Sequence, residues 1–268
     1  MHILDRIVAY KREEISKSKE TKSFSQLESS KYFYRNCNAF APTLNDENQS
    51  GVIAEFKRKS PSKQAINLEA KPEEVVPAYV AGGAGAISVL TDEHFFGGKN
   101  EYLTRVRSLV PETPLLRKEF IIDEYQIIEA KSIGADIILL IAEILTAAEV
   151  RKFAKLAREL GMEVLMELHS DEQLHKYDEH VSMVGVNNRD LTTFEVDYDR
   201  SKKLFDALPA DVPKIAESGL SKMDTLVMLY EYGFRGFLIG EQFMKQQDPG
   251  QACAEMVSSY MQKRLVNI

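Results

Sequence analysis

The chain has 268 residues, 44% of them hydrophobic and 28% charged, with a formal net charge of −7. That length and apolar content suit a large buried core, and the acidic balance disfavours nucleic acid or an anionic membrane as a partner while leaving local lysines free to bind an anion. Cys37 and Cys253 are far apart and show no metal-ligand spacing, which argues against a disulfide framework or structural zinc and for a reducing compartment.

Residues 1–20 have no unbroken apolar stretch and no small-residue cleavage site, so they do not read as a signal peptide. Ile3, Leu4, Ile7, Val8 and Ile15 recur at helical spacing, predicting an amphipathic helix, and a second helical segment falls near 23–30. From Val52 onward short apolar strands alternate with helical patterns. Strands are predicted near 52–57, 85–90, 114–118, 136–141, 162–168, 183–187, 213–217 and 236–239. Between them, residues 146–160 place Ala147, Val150, Phe153, Ala154, Ala157 and Leu160 on one helical face, behind a Thr146–Glu149 capping box. Pro72 with Glu73 and Glu74 marks another helix start, and Gly161 and Gly233 follow helices where a left-handed cap is needed. The longest apolar run, 137–142, is too short to span a bilayer. A cytoplasmic protein with no membrane partner is expected.

Eight βα periods predict an α/β fold, a (β/α)8 TIM barrel with an N-terminal helical extension. No GxGxxG follows the first strand, which disfavours a dinucleotide-binding sheet. The whole chain, 1–268, is expected to be a single barrel domain, with residues 1–50 as the extension.

Side chains alternate along a strand, so Glu55 and Lys57 point the same way. The same alternation pairs Leu116 with Lys118, Leu165 with Glu167, Gly185 with Asn187, and Ile215 with Glu217. Five strands thereby deliver polar residues to the C-terminal mouth, where parallel barrels bind ligands. Buried charges in such number are unfavourable unless they pair or bind something, and clustered lysines and glutamates shift one another's proton affinities. Gly219 and Gly240 follow the last two strands, where backbone N–H groups can approach a phosphate, with Ser218 and Glu241 beside them and Ser60 adding a hydroxyl. Phe95 and Phe96, in the loop after the second strand, could cover a flat substrate or pack on the next helix. His94, His169, His175 and His180 show no ligand spacing and are assigned to the surface or to helices. The methionines read as core filler.

The segment Ile53-Ala54-Glu55-Phe56-Lys57-Arg58-Lys59-Ser60-Pro61-Ser62-Lys63 resembles the signature of the indole-3-glycerol phosphate synthase family. Ser88-Val89-Leu90-Thr91 with Phe95-Phe96-Gly97-Gly98, Leu115-Leu116-Arg117-Lys118-Glu119-Phe120-Ile121, Gly185-Val186-Asn187-Asn188-Arg189-Asp190-Leu191 and Ala216-Glu217-Ser218-Gly219 continue the likeness in order. Gln64 stands where glycine is usual, and Phe56 where Ile or Val is commoner. The resemblance implies a ring-closing decarboxylation and dehydration of 1-(2-carboxyphenylamino)-1-deoxyribulose 5-phosphate in tryptophan biosynthesis. It implies Lys118 as general acid, Glu167 as general base, Lys57 on the anthranilate carboxylate, and Glu55 orienting the lysines and substrate hydroxyls. Asn187, Arg189 and Glu217 would shape the site, Phe96 would bind substrate, and Ser60, Ser218, Gly219, Gly240 and Glu241 would surround the phosphate. It implies no metal or organic cofactor, a small sugar-phosphate substrate and a monomer. Other readings fit the same strand tips: a Schiff-base aldolase with Lys118 as nucleophile, a phosphoribosyl isomerase, or a barrel that binds a phosphometabolite without turnover.

Overall fold

The computed structural model describes residues 3–61, 63–189 and 195–266. The eight predicted strands close into a parallel barrel in sequence order: β1 (Val52–Phe56), β2 (Ala86–Leu90), β3 (Leu115–Lys118), β4 (Ile137–Ile141), β5 (Glu163–Leu168), β6 (Met183–Asn187), β7 (Lys214–Glu217) and β8 (Gly236–Ile239). β8 pairs back to β1, with Ile53 opposite Leu238. Helices α1 (Ile3–Thr21) and α2 (Phe24–Glu28) precede the barrel. Six more follow the strands: α3 (Pro72–Ala81), α4 (Asn100–Leu109), α5 (Glu124–Ile133), α6 (Ala147–Glu159), α7 (Tyr198–Ala207) and α8 (Met223–Tyr232). A short α9 (Glu241–Met244) and the long α10 (Pro249–Val266) end the fold. The β5–β6 connection departs from the alternation, carrying only a 3-10 turn, Asp171–Lys176. None of the helices is long and apolar enough to cross a membrane, among the described residues.

Alternation along the strands builds two apolar layers. Ile53, Ala86, Leu116, Ile137, Leu139, Leu165, Met183, Ile215 and Leu238 fill the barrel interior. Val52, Ala54, Ile87, Leu115, Ile138, Val164, Val184, Ala216 and Phe237 face outward and pack against the helices. Local signals start and stop the helices. Thr146 Oγ1 accepts from the Glu149 amide at 3.2 Å while Glu149 Oε2 accepts from the Thr146 amide at 2.8 Å. Gly134 ends α5 in the left-handed region at φ 97°, where a side chain would strain the backbone. The predicted α6 stripe is buried at Val150, Phe153, Ala154 and Ala157, but Ala147, in the first turn, is exposed.

The N-terminal extension straps the barrel from mouth to floor. At the floor, Glu163 accepts from the amides of Phe40 (2.9 Å) and Ala41 (3.1 Å), seating Phe40 and Leu44 against the inner layer. Asp136 accepts from the Asn38 amide, Arg35, Arg107 and the Leu115 amide, so one buried carboxylate joins the strap to β3 and α4. Along the side, Tyr125 Oη donates to the carbonyls of Ser18 and Lys22. At the mouth, Lys11 lies buried on the apolar stripe of α1. Its ammonium sits 3.0 Å from carboxylate oxygens of Glu14, Asp92 and Glu119. Burial alone would lower the proton affinity of Lys11; the Glu119, Asp92 and Glu14 carboxylates outweigh it and raise it above the ordinary lysine value.

Lys11→Met would leave three carboxylates around an apolar tip, and removing one partner of a buried ion cluster strands the others. The substitution is expected to lower the unfolding free energy by about 3–5 kcal/mol in urea titrations; a loss below about 1 kcal/mol would show that α1 is held without it.

Candidate active site

The inward positions of β1, β3, β5, β6 and β7 do bring Glu55, Lys57, Lys118, Glu167, Asn187 and Glu217 to one mouth, as the alternation predicts. Lys118 Nζ lies 2.9 Å from Glu167 Oε2 and 2.9 Å from Glu217 Oε2. Asn187 Nδ2 donates to Glu167 Oε1 at 2.9 Å. Lys57 Nζ is 2.6 Å from Glu55 Oε1, and Ser88 Oγ donates to Glu55 Oε2 at 3.3 Å. Two glycines make room for these carboxylates. A Cβ on Gly185 would stand 2.0 Å from Glu217 Oε1, and one on Gly240 would stand 2.7 Å from Glu55 Oε1.

The arrangement separates the two glutamates that share Lys118. Burial opposes ionisation of Glu167, but the Lys118 ammonium and the His169 ring outweigh it and hold this carboxyl well below its usual range. Glu217 is pushed up to about 7, by burial first and by the Glu167 carboxylate, against the pull of Lys118. Burial would lower Lys118, yet Glu167, Glu217 and Glu55 together raise it above the ordinary lysine value. The mouth thus holds an ammonium, an ionised carboxylate and a carboxyl that titrates near neutrality, which is the material of general acid–base chemistry. Lys118 keeps 16% of its side chain exposed, enough for a bound molecule to reach it.

These groups open on a cavity of about 420 Å³ with two chemically distinct ends. One end is apolar, formed by Leu90, Phe96, Phe120, Leu139 and Ile141 with Ile3, Leu4 and Ile7 of α1; the Phe96 and Phe120 rings lie 5.7 Å apart. The other end collects Ser60, Arg189, Ser218, Gly219, Gly240 and Glu241. Ser218 and Gly219 both have positive φ, 67° and 73°, and their carbonyls are held by Asn188 Nδ2 and Tyr198 Oη. The Arg189 amide donates to Asn187 Oδ1 at 3.0 Å, tying the loop after β6 to the site. Lys63 reaches across from the loop after β1 to pair with Glu241 at 2.5 Å. Every predicted site residue therefore lines one cavity. Ser62, Asp190 and Leu191 of the motif segments lie outside the described residues.

Three contributions were not anticipated. His169, assigned above to the surface or a helix, is buried at the cavity wall with Nε2 2.9 Å from Glu167 Oε1. The signal was parity: 165, 167 and 169 share one face. The α1 residues were read as a helical stripe, but nothing local shows that the stripe faces the mouth. Asp92, after β2, accepts from the amides of Phe95 (2.7 Å) and Phe96 (3.1 Å), fixing the aromatic loop to the same cluster that holds Lys11. No group of His, Cys, Asp and Glu able to hold a metal occurs among the described residues.

The family model of indole-3-glycerol phosphate synthase matches residues 4–256. This chain belongs to the indole-3-glycerol phosphate synthase family. Family members are carboxy-lyases of tryptophan biosynthesis. A relative of that name from Bacteroides thetaiotaomicron is 46% identical over 249 residues, covering 93% of this chain and 95% of its own length. One from Salinibacter ruber is 43% identical over 258 residues, covering 96% and 95%. Among solved structures, tryptophan synthase subunit alpha from Legionella pneumophila superposes with a TM-score of 0.62 at 14% identity, covering 85% of this chain and 97% of that one. For 3-hexulose-6-phosphate synthase from Salmonella typhimurium the TM-score is 0.63 at 13% identity, covering 80% and 99%. At such low identity the likeness to these two is one of fold alone.

Two outcomes follow from the synthase-family geometry. Gly185→Ala is expected to displace Glu217, leave the fold intact and lower turnover by about 100-fold; circular dichroism and steady-state rates check this, and an unchanged rate would show that Glu217 has no fixed place in catalysis. The second concerns pH. A carboxyl whose folded value is raised holds its proton more tightly when folded, so its stabilising contribution is complete below the unfolded value of 4.5 and is lost as pH rises through about 7. The stability of wild type relative to Glu217→Gln is therefore expected to fall by about 3 kcal/mol from low to slightly alkaline pH. A flat difference would place Glu217 in the ordinary range.

Proposed function

We propose that this mouth closes an indole ring, converting 1-(2-carboxyphenylamino)-1-deoxyribulose 5-phosphate to indole-3-glycerol phosphate, carbon dioxide and water. The observation that carries the reading is one ammonium shared by two carboxylates of opposite proton affinity, set between an apolar pocket and a serine- and glycine-rich turn. Such a substrate has a flat aromatic end, a reactive carbonyl in the middle and a phosphate at the far end. Phe96 with the rest of the apolar wall takes the ring, and Ser60, Ser218, Gly219, Gly240, Glu241 and Arg189 receive the phosphate, the glycines and Glu241 through backbone N–H groups.

Lys118 is the general acid. As the ring carbon bearing the carboxylate bonds to the carbonyl carbon, the carbonyl oxygen takes the Lys118 proton and becomes a hydroxyl. Carbon dioxide then leaves that ring carbon. In the dehydration Glu167 removes a proton as the hydroxyl departs as water, with Lys57 supplying the proton to the leaving oxygen. Lys57 also pairs with the substrate carboxylate at the start, while Glu55 orients it, and Asn187 and Glu217 fix the remaining partners. Holding both ends of one flexible molecule so that its middle must fold is a large part of the acceleration. The chain is proposed to act as a cytoplasmic monomer, with residues 1–50 part of the same folding unit as the barrel; the anchors at Lys11, Asp136 and Glu163 support that unity.

Mixing the purified protein with this substrate should produce indole fluorescence against little background, because the chain contains no Trp. Lys118→Met is expected to slow turnover by on the order of 10³-fold while still binding the substrate. Full activity in Lys118→Met would remove the assigned acid, and binding without any signal in wild type would remove the reaction.

A further inference from the structure

His169 follows β5 and continues the alternation that carries Leu165 and Glu167 inward. It is only 8% exposed, and its amide donates to Gln173 Oε1 at 2.8 Å, fixing the residue at the strand end. Its Nε2 is 2.9 Å from Glu167 Oε1, close enough for the ring to favour the ionised carboxylate. Neither ring nitrogen has a hydrogen-bond partner among the described residues. Buried polar groups are normally satisfied, so an imidazole left unmet at the wall of a reactive cavity calls for a functional reason.

Glu167 supplies one. In the free protein its Oε2 is held by Lys118 and its Oε1 by Asn187. In the reaction proposed above, Lys118 turns its proton toward the substrate oxygen and leaves Oε2. A buried carboxylate deserted by its cation gains proton affinity and loses its fixed orientation. His169 stands within reach of the other oxygen, at 2.9 Å.

We propose that His169 is a positioning residue for Glu167: its Nε2–H donates to Oε1 when Lys118 engages the substrate, keeping the carboxylate ionised and aimed for the later proton abstraction. This rests on the functional reading above.

The test compares wild type, His169→Leu and His169→Gln on the carboxyphenylamino-deoxyribulose phosphate. The same compound with an alcohol in place of the ketone serves as a non-reacting probe of binding. Glutamine places an N–H close to where Nε2 stands. His169→Leu is expected to lower kcat by about 30-fold or more while KM and the alcohol's Kd stay within about threefold, because orientation rather than binding is lost. His169→Gln is expected to regain most of kcat. If leucine prevents folding, His169→Ala takes its place with the same expectations. A leucine variant at wild-type speed overturns this proposal alone. So does a glutamine variant as slow as leucine, or a leucine variant that loses the alcohol as severely as it loses kcat. A wild type that binds the alcohol without converting the ketone overturns the functional reading and this proposal with it.

Discussion

The ammonium of Lys118 is the charge on which the mouth of this barrel depends. Glu167 and Glu217 arrive from strands on either side of β6, and two buried carboxylates so placed cannot both ionise without a cation between them. Lys118 satisfies both at 2.9 Å, and their unequal surroundings divide the protons. Glu167 has an amide donor and an imidazole beside it and stays ionised; Glu217 lacks both and leans toward protonation. Gly185 and Gly240 follow from the same constraint, since any side chain there would strike Glu217 or Glu55. In the proposed reaction a substrate carbonyl competes for that one ammonium, and its arrival redistributes charge across the whole group.

A second ionic centre holds the walls. Lys11 joins α1 to Asp92 and Glu119, and Asp92 also fixes the Phe95–Phe96 amides, so the helix and the aromatic loop are held by one cluster. Arg117, pointing outward beside Lys118, extends it through Thr91 and Glu129. The apolar end of the cavity is therefore assembled from parts far apart in sequence by buried charge pairs, while the floor is closed independently by Asp136 and Glu163. Chemistry at the C-terminal face and stability at the opposite face is the usual division of labour in this architecture.

Strand parity made much of this legible from the residues alone. Arg117, Lys118 and Glu119 are consecutive charges, and only the agreement of Lys118 with Leu116 identifies which one enters the barrel. Parity would also have placed His169 beside Glu167, had the absence of metal-ligand spacing not set it aside. Lys11 interrupts an apolar helical stripe between Ile7 and Ile15, a local anomaly that the stripe reading passed over. Pairs such as Lys11 with Asp92 or Arg107 with Asp136 have no local signature, because they form only once the barrel has closed. The missing helix between β5 and β6 was equally hidden: the segment 171–176 is short and mostly polar, with no apolar stripe to set its period.

The division of protons between Glu167 and Glu217 can be observed directly by following side-chain carboxyl carbons in a carbon-13 NMR titration, with Glu167→Gln and Glu217→Gln to assign the two signals. Glu217 should show a step near pH 7, and Glu167 should remain ionised well below the 4.5 of an ordinary glutamate. Two overlapping steps near that ordinary value would mean that Lys118 does not distinguish its partners, and the acid–base assignment built on the difference would fail.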